Sequence, residues 1–165
     1  MTESNKVGDP FEADTYQGPQ VSKAQFDRIM NYIECGKKEG ATLLMGGERH
    51  GNEGYFIKPT VFTNTNENMT IMQDEIFGPV VAISKFSTVE EVIEKAHLTK
   101  YGLAAAVFTK DITKAIKLSN ELRAGTVWDC EPFEGYKESG MGRDLSKYAL
   151  DQYTQVKTVQ INLDV

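Results

Sequence analysis

The stretch Gly78-Pro79-Val80-Val81-Ala82-Ile83-Ser84-Lys85-Phe86-Ser87-Thr88-Val89-Glu90 decides the fold. Its first part, Pro79 to Phe86, is an apolar run broken only by Ser84 and Lys85, as expected of a strand covered on both faces and lying centrally in a sheet. Ser87 and Glu90 then fit a capping box, opening a helix whose Val89, Val92, Ile93 and Ala96 face the core. Leu103 to Thr109 is again strand-like, Asp111 is placed to cap a helix carrying Ile112, Ala115, Ile116 and Leu122, and Gly125 to Trp128 is a further short strand. Strand, helix, strand, helix, strand predicts right-handed βαβ crossovers. The expected fold is α/β, three-layered, with a mostly parallel sheet and flanking helices.

Toward the N-terminus, residues 1–6 are expected to be flexible, and residues 7–21, rich in Gly, Pro, Asp and Gln, to form an extended loop. Ser22 with Gln25 fits another capping box, and Phe26, Ile29, Met30 and Ile33 fall on one face of the helix that follows, which ends between Gly36 and Gly40. Ala41 to Met45 is a short apolar run closed by Gly46-Gly47. Tyr55 to Phe62 reads as a strand in which Pro59 argues for an edge or a bulge. Toward the C-terminus come a Gly-rich loop from Gly135 to Gly142, a helix from about Asp144 to Tyr153, and a last strand from Thr154 to Leu163.

A chain of 165 residues suffices for one ordinary domain, and 40% apolar with 25% charged side chains is a globular composition. Eighteen basic against twenty-four acidic residues give a formal charge of −6 with the lysines scattered among acids, which argues against nucleic acid or anionic membrane as a partner. Cys35 and Cys130 form no disulfide framework, no apolar run approaches a membrane span, and the first residues carry no targeting pattern. A cytoplasmic location is expected. Two histidines, His50 and His97, with no Cys/His cluster, predict no metal site.

Chemistry concentrates in Asp74-Glu75-Ile76-Phe77-Gly78-Pro79. One carboxylate, Glu75, is able to accept both hydroxyls of a ribose through charge-assisted hydrogen bonds, and the ring of Phe77 to flank a flat heterocycle. Taken alone, the pair also reads as a solvated acid and a core aromatic.

With its neighbours the pair becomes specific. Gly18-Pro19-Gln20-Val21 with Gln25-Phe26, Gly46-Gly47, Gly54 to Phe62, Asp74 to Val80, Tyr101 to Thr109, Ala124 to Trp128, and Tyr136-Lys137-Glu138-Ser139-Gly140 stand in one order. That series resembles the NAD(P)-dependent aldehyde dehydrogenases, in the C-terminal part of their catalytic domain. The resemblance implies a partial catalytic domain over residues 7–153 and an oligomerisation strand over 154–165, through which the chain would form a homo- or hetero-oligomer. It implies NAD or NADP as cofactor and an aldehyde as substrate. It also implies that Glu75 binds the nicotinamide ribose, that Phe77 contacts the nicotinamide side, and that Gln25 lies near the adenosine ribose. Phe133 resembles an aromatic lining the substrate tunnel, or is an ordinary loop aromatic packed on the core.

The family's reaction needs a cysteine thiolate, an oxyanion site and a glutamate base, which the family supplies upstream of the blocks matched here. Neither cysteine stands at the nucleophile's position, and Cys130 between Asp129 and Glu131 is disfavoured as a thiolate. No residue is therefore assigned as catalytic. Asp129-Cys130-Glu131 is also shorter than the family's tunnel loop, and Glu134 replaces the first of its paired glycines. A chain inactive by itself, with weak or undetectable NAD(P) affinity, is expected. The alternative is a non-catalytic structural or regulatory chain that pairs with a full-length subunit.

Overall fold

The computed structural model describes residues 2–127 and 136–159, which divide into two compact units, Met1–Thr99 and Lys100–Val165. In the first, a short 3-10 turn at Thr2–Ser4 precedes a loop whose ends meet, since Val7 bridges Gln17 and the carbonyl of Lys6 accepts from the N–H of both Tyr16 and Gln17. The side-chain amide of Gln17 pins this loop to the Ile57 carbonyl at 2.7 Å.

Helix α1 (Lys23–Lys38) starts where the capping pattern predicts, with the hydroxyl of Ser22 accepting from the Gln25 N–H at 3.2 Å. It ends in a Schellman arrangement. Ala41 N–H bonds to the Gly36 carbonyl and Gly40 N–H to that of Lys37, with Gly40 at φ +92°, a conformation open to glycine at little cost. Ile29 and Ile33, four residues apart, are fully buried, each burial contributing about 1.5–3 kcal/mol. They meet Phe62, Ile57, Met69 and Ile71 in the core of this unit.

Strand β1 (Thr42–Met45) pairs antiparallel with β2 (Thr60–Thr63), which pairs parallel with β3 (Val80–Ala82), in the order β1-β2-β3. Short helix α2 (Thr70–Gln73) lies in the β2–β3 crossover, and the carboxylate of Glu39 caps it by accepting from the N–H and hydroxyl of Thr70. The central strand is β2, with Thr60, Val61 and Phe62 buried, and not the run from Pro79. Only Val80–Ala82 of that run is strand. Val80 and Ala82 pack on the core while Val81 and Ile83 are each 48% exposed, so the run alternates with period two where cover on both faces was expected. Pro59 stands just before β2, and the bulge it suggested falls in β1, between Leu43 and Met45.

Helix α3 (Val89–His97) begins one residue later than the sequence suggested. Thr88 is the cap, its hydroxyl accepting from Glu91 N–H, and Glu91 reaches back to Ser87 N–H. Val89, Val92 and Ile93 are half-buried and Ala96 is exposed.

In the second unit, β4 (Tyr101–Gly102), β5 (Ala104–Ala105), helix α4 (Ile112–Glu121), β6 (Thr126–Val127), β7 (Tyr136–Lys137) and helix α5 (Ser146–Tyr153) follow in order. Asp111 caps α4 as expected, accepting from Thr113 and Lys114 N–H. β5 pairs parallel with β6 across α4, the crossover the pattern called for, and β4 pairs antiparallel with β7, a strand the Gly-rich reading missed. Parallel and antiparallel pairings are equally represented among the described strands. Ile112 and Ile116, two of the apolar residues α4 carries, are 71% and 56% exposed. Leu122 closes α4 as an extended cap residue. A strand was expected from Thr154 to Leu163; its residues 154–159 are exposed and pair with none of the described strands, and residues 160–163 lie outside the described residues.

Candidate functional site

Residues Gln25, Arg28, Ile29 and Tyr32 recur at the spacing that puts them in one stripe of α1, and this stripe receives the loop from Asp74 to Gly78. The Tyr32 hydroxyl donates to the Asp74 carboxylate at 3.2 Å, and the Arg28 guanidinium donates to the Glu75 carbonyl at 3.1 Å. The Gln25 amide nitrogen donates to the Phe77 carbonyl at 2.8 Å and to that of Ile76 at 3.3 Å. Ile29 fills the space beside Gly78, where a β-carbon would stand 2.6 Å from its Cδ1. At the far end the loop is fixed to the sheet, since Pro79 C=O accepts from Thr60 N–H at 2.8 Å and Val80 N–H bonds to Gly78 C=O at 2.7 Å.

Within this frame Ile76 packs against the core, while Glu75 and Phe77 on either side of it are exposed. Phe77 is 70% exposed at φ +57°, a left-handed conformation that a bulky residue adopts only where its surroundings hold it there. Among the described residues no side chain pairs with the Glu75 carboxylate. The arrangement offers an acceptor and a ring, two residues apart, on a loop held along its length. An exposed carboxylate beside an outward ring fits a diol joined to a flat heterocycle.

The structure brings Gln25, Glu75 and Phe77 together. Gln25 is half-buried with its amide nitrogen engaged by two carbonyls, so within the chain it supports the loop. Phe133, Cys130 and the shortened segment around them lie outside the described residues. Cys35 is a half-buried free thiol on α1. Among the described residues no group of His, Cys, Asp and Glu is arranged to hold a metal, and no helix is long and apolar enough to cross a membrane. Sequence reading missed Arg28 and Tyr32, and gave Asp74, although it opens the motif, no role of its own. The available signal was polar side chains recurring at positions 25, 28 and 32 around the core residue Ile29.

Comparison with known proteins gives a consistent result. The family model described as "Aldehyde dehydrogenase family" matches residues 1–159. An aldehyde dehydrogenase of Aspergillus niger is 59% identical over 96% of this chain and 34% of its own length, and a mitochondrial aldehyde dehydrogenase of Equus caballus is 54% identical over 97% and 34%. The NAD+ complex of an aldehyde dehydrogenase from Bacillus cereus superposes with a TM-score of 0.90 at 51% identity, covering 99% of this chain and 35% of that one. The chain thus spans about one third of the length of the curated relatives it matches.

Proposed function

This chain belongs to the aldehyde dehydrogenase family, and from that premise we propose that it serves the NAD(P)-dependent oxidation of an aldehyde to a carboxylic acid, with the loop from Asp74 to Gly78 as the grip on the nicotinamide ribose. The observation that carries this reading is the outward presentation of Glu75 and Phe77 on a loop tied to α1. The Glu75 carboxylate would accept the two ribose hydroxyls, and the Phe77 ring would flank the nicotinamide and exclude water from one side of it. The bound cofactor supplies the hydride acceptor. Gln25, placed near the adenosine ribose by family resemblance, contributes in this reading by holding the Ile76 and Phe77 carbonyls. Phe133 would line the path of the aldehyde.

The 165 residues by themselves are proposed not to complete the reaction. Cys35 sits on a packed helix with no base assigned to it, and Cys130 stands between two acids that oppose its ionisation. The purified chain is expected to give no aldehyde-dependent reduction of NAD(P), and steady turnover that disappears on Cys130→Ser would refute this. Affinity for NAD(P) is expected to be weak or undetectable, since Glu75 and Phe77 reach only one end of the dinucleotide; tight calorimetric binding abolished by Glu75→Ala would contradict it. A cytoplasmic location belongs to the same proposal, supported by the acidic, disulfide-poor composition.

One observation favours a second reading, a structural or regulatory chain that joins a full-length subunit. Val156 is fully exposed and Val159 65% exposed in a segment that pairs with no described strand, so its backbone and apolar side chains are open to a sheet edge of another chain. Copurification of a tagged chain with a full-length aldehyde dehydrogenase, lost on Val159→Lys, is the expected result. Absence of copurification would sink this reading.

A further inference from the structure

We infer that Arg28 and Tyr32 are positioning residues for the Glu75–Phe77 pair: the stripe of α1 that contains them holds the loop in the one conformation that presents both side chains. The inference rests on the reading of that pair as the cofactor grip, yet its mechanical content is separate. Asp74, Glu75, Ile76 and Phe77 are each tied to a member of the stripe, the first through its carboxylate and the other three through their carbonyls. Gly78 completes the contact by lying against Ile29.

The ties are needed because the loop holds itself poorly. Phe77 at φ +57° is unfavourable for a residue with a β-carbon, and nothing within a free loop would keep it from relaxing to the extended region. Such a relaxation would rotate the chain between the carboxylate and the ring and spoil their spacing. Arg28 also supports Tyr32, its guanidinium carbon lying 5.6 Å from the ring centroid, so the two act as one brace. Both reach the loop through Asp74 and the Glu75 carbonyl, leaving the Glu75 carboxylate and the Phe77 ring clear.

The test is backbone 15N relaxation on the whole chain without ligand, in the parent, in Tyr32→Phe, in the Arg28→Gln/Tyr32→Phe pair, and in Arg28→Lys as the conservative replacement. The expected order parameters for residues 75–78 are about 0.85 in the parent and below about 0.6 in the double variant, with Arg28→Lys close to the parent and Thr60–Thr63 unchanged throughout. Unchanged order of 75–78 in a double variant whose Thr60–Thr63 remain ordered would overturn the inference. Should the double change unfold the unit, Tyr32→Phe alone, which removes one hydroxyl, is read by the same criterion. Titration of the parent with nicotinamide mononucleotide separates the two levels. Nucleotide-induced amide shifts that bypass residues 74–78 would refute the cofactor reading, whereas retained order in the variants would refute the brace whatever the nucleotide does.

Discussion

The side-chain amide of Gln25 donates to the main-chain carbonyl of Phe77 at 2.8 Å, joining two positions 52 residues apart in sequence. A glutamine at the third position of a capped helix ordinarily reaches back to the cap; here it reaches across to a loop. Gln25→Ala is expected to lower stability by about 0.5–1.5 kcal/mol, the net worth of a neutral hydrogen bond, as measured by urea unfolding. No change in the midpoint would mean that water replaces the amide without loss.

Gly78 carries a steric prediction. A β-carbon there would stand 2.6, 2.7 and 2.9 Å from three carbons of Ile29, a residue that is itself fully buried, so the side chain has little room to move aside. Gly78→Ala is expected to cost about 1–3 kcal/mol as an overpacked contact. Pairing it with Ile29→Val should recover part of that loss, and a double-mutant cycle with zero coupling would place the strain elsewhere.

Gly46 tests the turn after β1. It lies at φ +70°, and a β-carbon there would collide with the Pro59 carbonyl, which is backbone and has no rotamer to change. Gly46→Ala should therefore destabilise by more than about 2 kcal/mol, measured as a fall in the denaturant midpoint, whereas Gly51→Ala, with open space around it, should cost less.

The ammonium of Lys95 lies 2.9 Å from both Glu67 and Glu91 and donates to the Lys85 carbonyl. The hydrogen bond from Lys95 is the largest cause holding each carboxyl below its ordinary value of 4.5. A depressed folded-state value means that the stabilisation is fully present above 4.5 and is lost as pH falls from there through the folded values. Lys95 is shifted upward, first by Glu91 and then by Glu67, so its own contribution is complete below 10.5 and fades as pH rises through the raised value. Thermal melts should show stability declining below pH 4.5, less steeply in Lys95→Met. An unchanged slope in that variant would remove the triad from the account of acid sensitivity.

What the sequence revealed depended on whether the deciding contacts were local. Ser22 and Asp111 were legible as caps because capping is settled within three residues, and the β5-α4-β6 crossover followed from the order of elements. The capping residue of α3 was misplaced by one because Ser87 and Thr88 both qualify and both Glu90 and Glu91 follow. The central strand was misassigned because an apolar run from Val80 to Ile83 carries no mark of how many faces are covered, while β2, with two threonines in four residues, looked less apolar than its burial. In the site, Glu75 and Phe77 stood out by motif and Gln25 by resemblance. Arg28 and Tyr32 did not, since their partners are 47 and 42 residues away and their types fit an exposed helix face equally well.

The central claim, that Glu75 and Phe77 grip the nicotinamide half of the cofactor, is tested most directly by 1H–15N spectra of the chain titrated separately with nicotinamide mononucleotide and with adenosine monophosphate. The expected result is that the nicotinamide nucleotide shifts the amides of 74–78, that Glu75→Ala abolishes those shifts, and that the adenosine nucleotide leaves the loop unmoved. Shifts produced by the adenosine nucleotide alone, or nicotinamide-induced shifts that survive Glu75→Ala, would contradict it.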